Sequence, residues 1–292
     1  VYSVGGTITQ AYIRKAIDKA LTQFGALIPE LLPADLVERH GLMPRSEAIL
    51  RIHRPENSTE GQEARRRMVY EELFLFQLKL QAYRATHKKE PIGIVHPVNN
   101  DDIRSFVGKL PFTLTDSQKQ VINEILHDMK QPYMMNRLLQ GDVGAGKTVV
   151  AAVALYATIK AGHQGALMVP TEILAEQHAK SLGKLFEPYG IQIGLLTGSL
   201  TERKRRDMIA GLQMGLTDIV IGTHALIQED VHFRRLGLVV LDEQHRFGVQ
   251  QRSILRKKGM NPDVLSMTAT PIPRTLAITV FGDMDVSTIR ER

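Results

Sequence analysis

Apolar positions along this chain follow two different periods, and the change from one to the other falls near residue 110. Upstream the spacing is helical. From Thr9 to about Leu27, the residues Ile13, Ile17, Ala20, Leu21 and Phe24 share one stripe, which predicts an amphipathic helix. Prolines at 29, 33 and 44 punctuate a stretch of short helices. A longer helix is predicted from about residue 59 to 86. Thr59 and Gln62 can form its capping box, and Val69, Leu73, Phe76 and Leu80 form its buried stripe. Arg65, Arg66 and Arg67 then fall on the exposed side, either as a solvated face or as a nucleic-acid contact. Residues 88–100 are polar, break the period and read as a linker or loop.

Beyond Pro111 short apolar runs alternate with helical patterns. Residues 134–140, 165–169, 192–196, 218–222, 238–241 and 264–268 read as strands, with helices at about 147–161, 172–187, 201–214 and 248–258. This alternation predicts an α/β fold, a parallel sheet covered by helices on both faces, preceded by a mainly helical segment. Two domains are expected, 1–110 and 111–292, in keeping with a length of 292 residues.

Composition narrows the chemistry. The chain is 43% hydrophobic and 23% charged, ordinary for a globular protein, and no apolar run approaches a membrane span. With no cysteine, disulfides, thiolate metal sites and a cysteine nucleophile are excluded, and a cytosolic setting is expected. A net charge of +6 permits a polyanionic partner without requiring one. The chain opens at Val1 and closes at Arg292 in mid-pattern, so a longer parent protein is expected.

Two stretches carry the chemistry. Gly141, Asp142, Val143, Gly144, Ala145, Gly146, Lys147 and Thr148 spell a phosphate-binding loop between a predicted strand and a predicted helix. The glycines let successive N–H groups turn inward around a phosphate, and the helix that follows aims its positive end at the same anion. Lys147 would reach the β- and γ-phosphates, and the Thr148 hydroxyl would ligate Mg²⁺. The second stretch, 238–243, is an apolar strand ending in Asp242 and Glu243, at the sheet edge where open α/β sheets bind ligands. Asp242 would hold the Mg²⁺ shell and Glu243 would deprotonate the attacking water. A nucleoside triphosphate and Mg²⁺ are the expected ligands, and the resemblance below implies ATP.

Further motifs carry a resemblance. Asp242-Glu-Gln-His245 resembles the DExH box of superfamily-two helicases, and Thr268-Ala-Thr270 is similar to the motif that couples hydrolysis to nucleic-acid movement. Residues 169–177 and 222–226 resemble that superfamily's two strand-gripping motifs. The runs 242–249 and 268–276, with 49–55 and 71–77 upstream, are similar to the RecG family of bacterial ATP-dependent helicases. The transcription-repair coupling factor shares much of this pattern, but usually carries Glu where this chain has Gln244. A nucleotide-responsive module that does not hydrolyse ATP is the alternative from another class.

The resemblance implies a RecA-like P-loop lobe after residue 110, preceded by the end of a wedge domain and a helical linker. It implies coupling roles for His245, Thr268 and Thr270, and DNA-backbone contacts at Thr171, Thr197, Gly198 and Thr223. Each of these four residues also suits a helix cap or turn. Arg274 either takes part in coupling or makes a surface salt bridge. Gln118 either reads the adenine edge or, with Thr115, forms a capping box. The implied partners are branched double-stranded DNA (forks and junctions), a second RecA-like lobe that supplies arginine fingers, and the rest of the wedge domain. The implied setting is the bacterial cytoplasm.

Overall fold

The computed structural model describes residues 9–87, 91–243, 249–270 and 284–290. Contacts divide the chain into two compact units, 1–82 and 83–292.

The first unit is helical: α1 (Gln10–Phe24), α2 (Ala34–Arg39), α3 (Arg45–His53) and α4 (Ser58–His87), whose last turn runs past the boundary. Thr9 caps α1, its hydroxyl accepting from Tyr12 N–H at 3.3 Å. In the α1 stripe Ile13, Ile17 and Leu21 are half-buried, whereas Phe24 and Ala20 are exposed. α4 departs further from its expected face. Its expected stripe is open to solvent at Val69, Leu73 and Phe76, and the face that is buried carries Ala64, Arg67 and Glu71. Arg67 therefore does not lie with Arg65 and Arg66 on an exposed basic face. Its guanidinium is fully buried, donating to Glu71 Oε2 at 2.7 Å and to Glu30. Arg45 Nε reaches the other Glu71 oxygen at 2.9 Å. Four charges thus neutralise one another where helical periodicity leads one to expect apolar side chains.

Among the described residues the second unit holds a seven-stranded parallel sheet. Its strands are β1 (Asn136–Gln140), β2 (Gln164–Met168), β3 (Ile193–Leu196), β4 (Ile219–Gly222), β5 (Leu236–Asp242), β6 (Asp263–Thr268) and β7 (Asp285–Thr288). They lie in the order β3-β4-β2-β5-β6-β1-β7, all paired in parallel. Six match the sequence reading to within a few residues, and β7 is additional. The helices are α5 (Asn100–Gly108), α6 (Asp116–Met129), α7 (Lys147–Lys160), α8 (Glu172–Phe186), α9 (Glu202–Met214) and α10 (Val249–Lys257). Alternate strand residues serve two cores. Leu167, Leu238 and Val240 pack with α5 to α8, whereas Ala166, Met168, Val239 and Leu241 pack with Leu212 of α9 and Leu255 of α10.

Residues 91–110 belong to this unit, so the contact boundary precedes the change in sequence pattern. Phe106 of α5 stacks on Tyr156 of α7, with ring centroids 4.3 Å apart, and on Phe186 of α8 at 5.6 Å. Ahead of α5, His96 is buried against Asp263, Nε2 to Oδ2 at 3.2 Å, and burial raises the Asp263 carboxyl above its ordinary range.

Gly222 ends β4 where a side chain has no room, since a Cβ there would sit 2.2 Å from the Leu196 carbonyl oxygen. Gly222→Ala is expected to destabilise the unit by about 1–3 kcal/mol through forced backbone movement. A chemical-denaturation midpoint measured on the variant checks this, and an unchanged midpoint would show that β3 and β4 part freely.

Candidate active site

The phosphate loop leaves the carboxyl end of β1 and closes on α7. Gly144 and Gly146 hold φ of +85° and +84°, a region that costs a residue with a side chain but not glycine. A Cβ at Gly146 would also meet Gln118 Nε2 at 2.3 Å. Lys147 folds back over the loop, its ammonium donating to the Gly141 and Asp142 carbonyls at 2.7 and 2.9 Å. Burial holds its pKa below the ordinary lysine value, opposed by the nearby negative charges of Asp242, Glu243 and Asp142. The two carboxylates at the end of β5 therefore share one electrostatic environment with the loop lysine. Asp142, Val143 and Gly144 are exposed, while Gly141 and Ala145 are buried at the base of the loop.

The sequence order of strands conceals their proximity. In the sheet β5, β6 and β1 are consecutive, so Asp242, Thr268 and the loop emerge side by side at one edge. Gly141 N–H donates to the Thr268 carbonyl at 3.2 Å. The Thr268 hydroxyl in turn accepts from Thr270 N–H at 3.1 Å, so it holds the turn at the end of β6. Glu243 takes φ +55°, which a non-glycine residue adopts only at a cost of about 1–3 kcal/mol, and such strain gathers at active sites. His245 and Arg274 lie outside the described residues.

Gln118 takes the capping-box form of its two sequence readings. It completes a capping box with Thr115, Oε1 accepting from Thr115 N–H at 3.0 Å and its own N–H donating to the Thr115 hydroxyl. Its Nε2 donates to the Ala145 carbonyl at 2.9 Å. An amide has two donor hydrogens and two oxygen lone pairs, so one of each remains for a base edge. Beside it opens a cleft of about 1040 Å³, running from Gly144 and Thr148 past Phe112 and Leu174 to Tyr189.

The hydroxyl and glycine positions implied as strand contacts lie beyond the other half of the same edge. Thr171 is exposed and caps α8, its hydroxyl accepting from Leu174 N–H at 3.3 Å. Gly198 is exposed, but Thr197 is buried with its hydroxyl 3.2 Å from that of Ser199. Thr223 is buried, and its hydroxyl has no hydrogen-bond partner among the described residues. One neighbour of the centre went unnoticed in the sequence. His178 of α8 places Nε2 2.9 Å from Asp242 Oδ2. Its position one residue past the 169–177 motif is the only signal that points to it.

A strained carboxylate beside a lysine-bearing anion cradle, with a threonine hydroxyl at the head of the following helix, is the arrangement that a nucleoside-triphosphate site requires. Thr148, Asp242 and Glu243 offer the hard oxygen donors that suit Mg²⁺. Residues 115–278, more than half of the chain, match the DEAD/DEAH box helicase family. The chain belongs to that family. It is 54% identical over 291 residues to the ATP-dependent DNA helicase RecG of Bacillus subtilis, a match to 100% of this chain and 43% of that protein. With RecG of Streptococcus pneumoniae it shares 51% over 290 residues, 99% of this chain and 43% of the relative. Among solved structures, RecG bound to a three-way DNA junction superposes with a TM-score of 0.75 at 42% identity. That match covers 99% of this chain and 39% of the solved one. The chain thus spans less than half the length of these relatives. Among the described residues no helix is long and apolar enough to cross a membrane.

Proposed function

We propose that this chain is the first motor lobe, with its helical lead-in, of a DNA helicase that uses ATP to remodel forks and junctions in recombination and repair. On this reading residues 1–110 are the end of a wedge domain and a helical linker, and 111–292 are the RecA-like lobe. A second such lobe and the rest of the wedge domain complete the protein, which works in the bacterial cytoplasm. The observation that carries the proposal is the convergence of the phosphate loop, Asp242-Glu243 and Thr268-Ala-Thr270 on three adjacent strand ends.

In this reading Lys147 exchanges its two neutral carbonyl partners for phosphate oxygens, whose negative charge attracts the ammonium as the carbonyls cannot. Thr148 and Asp242 would hold Mg²⁺, which when bound neutralises charge on the phosphates. Glu243 orients a water and takes its proton. Gln118 uses its remaining donor and acceptor on the adenine edge, with Phe112 in the adjoining cleft. Thr171, Thr197, Gly198 and Thr223 face the DNA backbone, the buried ones through their backbone N–H groups, which position a strand without reading sequence.

ATP turnover of this chain, with and without forked DNA, compared with a version extended through the next lobe, tests the proposal. Turnover is expected only in the extended protein, rising with forked DNA. If neither version hydrolyses ATP in any DNA condition, the motor reading fails.

A further inference from the structure

The carboxyl edge of the sheet falls into two blocks. The loop, the Thr-Ala-Thr run and the Asp-Glu pair follow β1, β6 and β5, whereas Thr171, Thr223 and Thr197 follow β2, β4 and β3. The seam between the blocks is the β2–β5 pair. α8 begins at this seam, directly after β2. Its first residue, Glu172, accepts from Ser199 N–H at 3.1 Å through Oε1, which fixes the loop that carries Thr197 and Gly198. Seven residues beyond Thr171, two helical turns, brings His178 to the same side of the helix. It sits on the inward face with fully covered Ala175 and Leu182, and its side chain is only 12% exposed. There it meets Asp242, itself only 14% exposed, across the seam.

We propose that His178 is a positioning residue: its Nε2 holds one oxygen of Asp242, so that α8 ties the polymer-facing loops to the Mg²⁺-binding carboxylate. The inference rests on the motor reading above and gives it a physical route from DNA contact to nucleotide site. A carboxylate on a strand end can rotate about its side-chain bonds. Anchoring Oδ2 at 2.9 Å fixes the plane of the group and leaves Oδ1 aimed by geometry rather than by chance. Because the anchor stands on α8, any movement of that helix when Thr171 or the 197–199 loop takes hold of a strand turns the carboxylate directly.

The test uses the full-length protein and two substitutions that separate reach from bulk. In His178→Asn the amide occupies the place of the near ring nitrogen and falls short of Asp242. In His178→Gln it takes the place of Nε2 and keeps the donor. The readout is binding of ADP carrying a fluorescent ribose label, titrated with Mg²⁺ in the absence and presence of forked DNA. His178→Asn is expected to raise the Mg²⁺ midpoint about tenfold or more, the usual effect of losing a partner that orients a metal ligand. It should also abolish any DNA-induced shift of that midpoint while DNA affinity stays as in the wild type. His178→Gln should recover both properties. A Mg²⁺ midpoint unchanged in His178→Asn overturns the proposal. So does an equal rise in both variants, because ring packing and not the donor would then matter. Labelled ADP that binds the wild type without any dependence on Mg²⁺ instead sinks the motor reading itself.

Discussion

Glu243→Gln in the full-length protein is expected to lower ATP turnover by about 10²–10⁴-fold, the usual contribution of a general base, while nucleotide affinity is retained. The amide keeps the size and shape of the carboxylate and the same Cβ, so the left-handed backbone at this residue is strained to the same degree before and after. What changes is the ability to take a proton from water. The substitution also removes one of the three negative charges that oppose the burial of Lys147, so the lysine is held somewhat further below its ordinary value. Its hold on phosphate survives, because its two present partners are backbone carbonyls and not Glu243. Single-turnover hydrolysis beside equilibrium binding of a labelled nucleotide separates the two effects. Turnover within a few-fold of the wild type would remove Glu243 from the catalytic assignment.

In the first unit the largest expected effect is on stability. Arg67→Ala should destabilise this helical unit by about 3–5 kcal/mol, the typical cost of removing one member of a buried ion pair. The value should fall toward the lower end, because Glu71 keeps Arg45 at 2.9 Å and Glu30 keeps its backbone donors. Arg67→Met, similar in length but apolar, does not relieve this, since Glu71 still loses its closest cation. Hydrogen exchange across residues 45–82 reads the change locally, and protection equal to the wild type would show that the cluster is incidental. Acid should weaken the same unit. Burial tends to raise the Glu30 carboxyl, but backbone N–H groups of Leu32, Arg45 and Leu31 together with Arg67 outweigh it and lower its pKa. A carboxyl lowered in the folded state contributes stability above its unfolded pKa and loses it as pH falls through the folded one. Unfolding of this unit should therefore become easier as the pH drops below the usual glutamate range.

How far the sequence could be read depended on where the stabilising partners lie. The six strands and the phosphate loop are legible, since a strand covered on both faces reads as a largely apolar run and the loop needs its glycines in order. β7 carries no such run. Asp285-Val-Ser-Thr288 is held by Arg137, which donates to Ser287 Oγ at 2.7 Å and to Asp128 at 2.7 Å, with Ser287 also bonded to Glu124. Polar residues brought together from three elements leave no periodicity in any one of them. α5 is hidden for a related reason, as only Ile103 and Phe106 are buried, and the rings that hold Phe106 lie some fifty to eighty residues downstream. α4 is helical as its period implies, but it buries a different face. Helical spacing finds a stripe of Val69, Leu73 and Phe76, yet it has no access to Glu30 and Arg45, which decide that Arg67 and Glu71 turn inward. Within the site, Asp242, Glu243 and Lys147 were legible as motif residues, whereas the bond from His178 exists only once β2 and β5 are neighbours.

On the proposed motor reading, the two blocks along the sheet edge bear on how the machine can be rebuilt. The loops after β2, β4 and β3 can lengthen, shorten or change their hydroxyl pattern without altering any strand that carries the phosphate loop or the carboxylate pair. On the proposed reading, a lineage, or an engineer, can retarget the machine to a different polymer by exchanging one side of the edge and inheriting the other intact. One constraint on such an exchange is α8, which must still arrive at the seam in the same rotational setting.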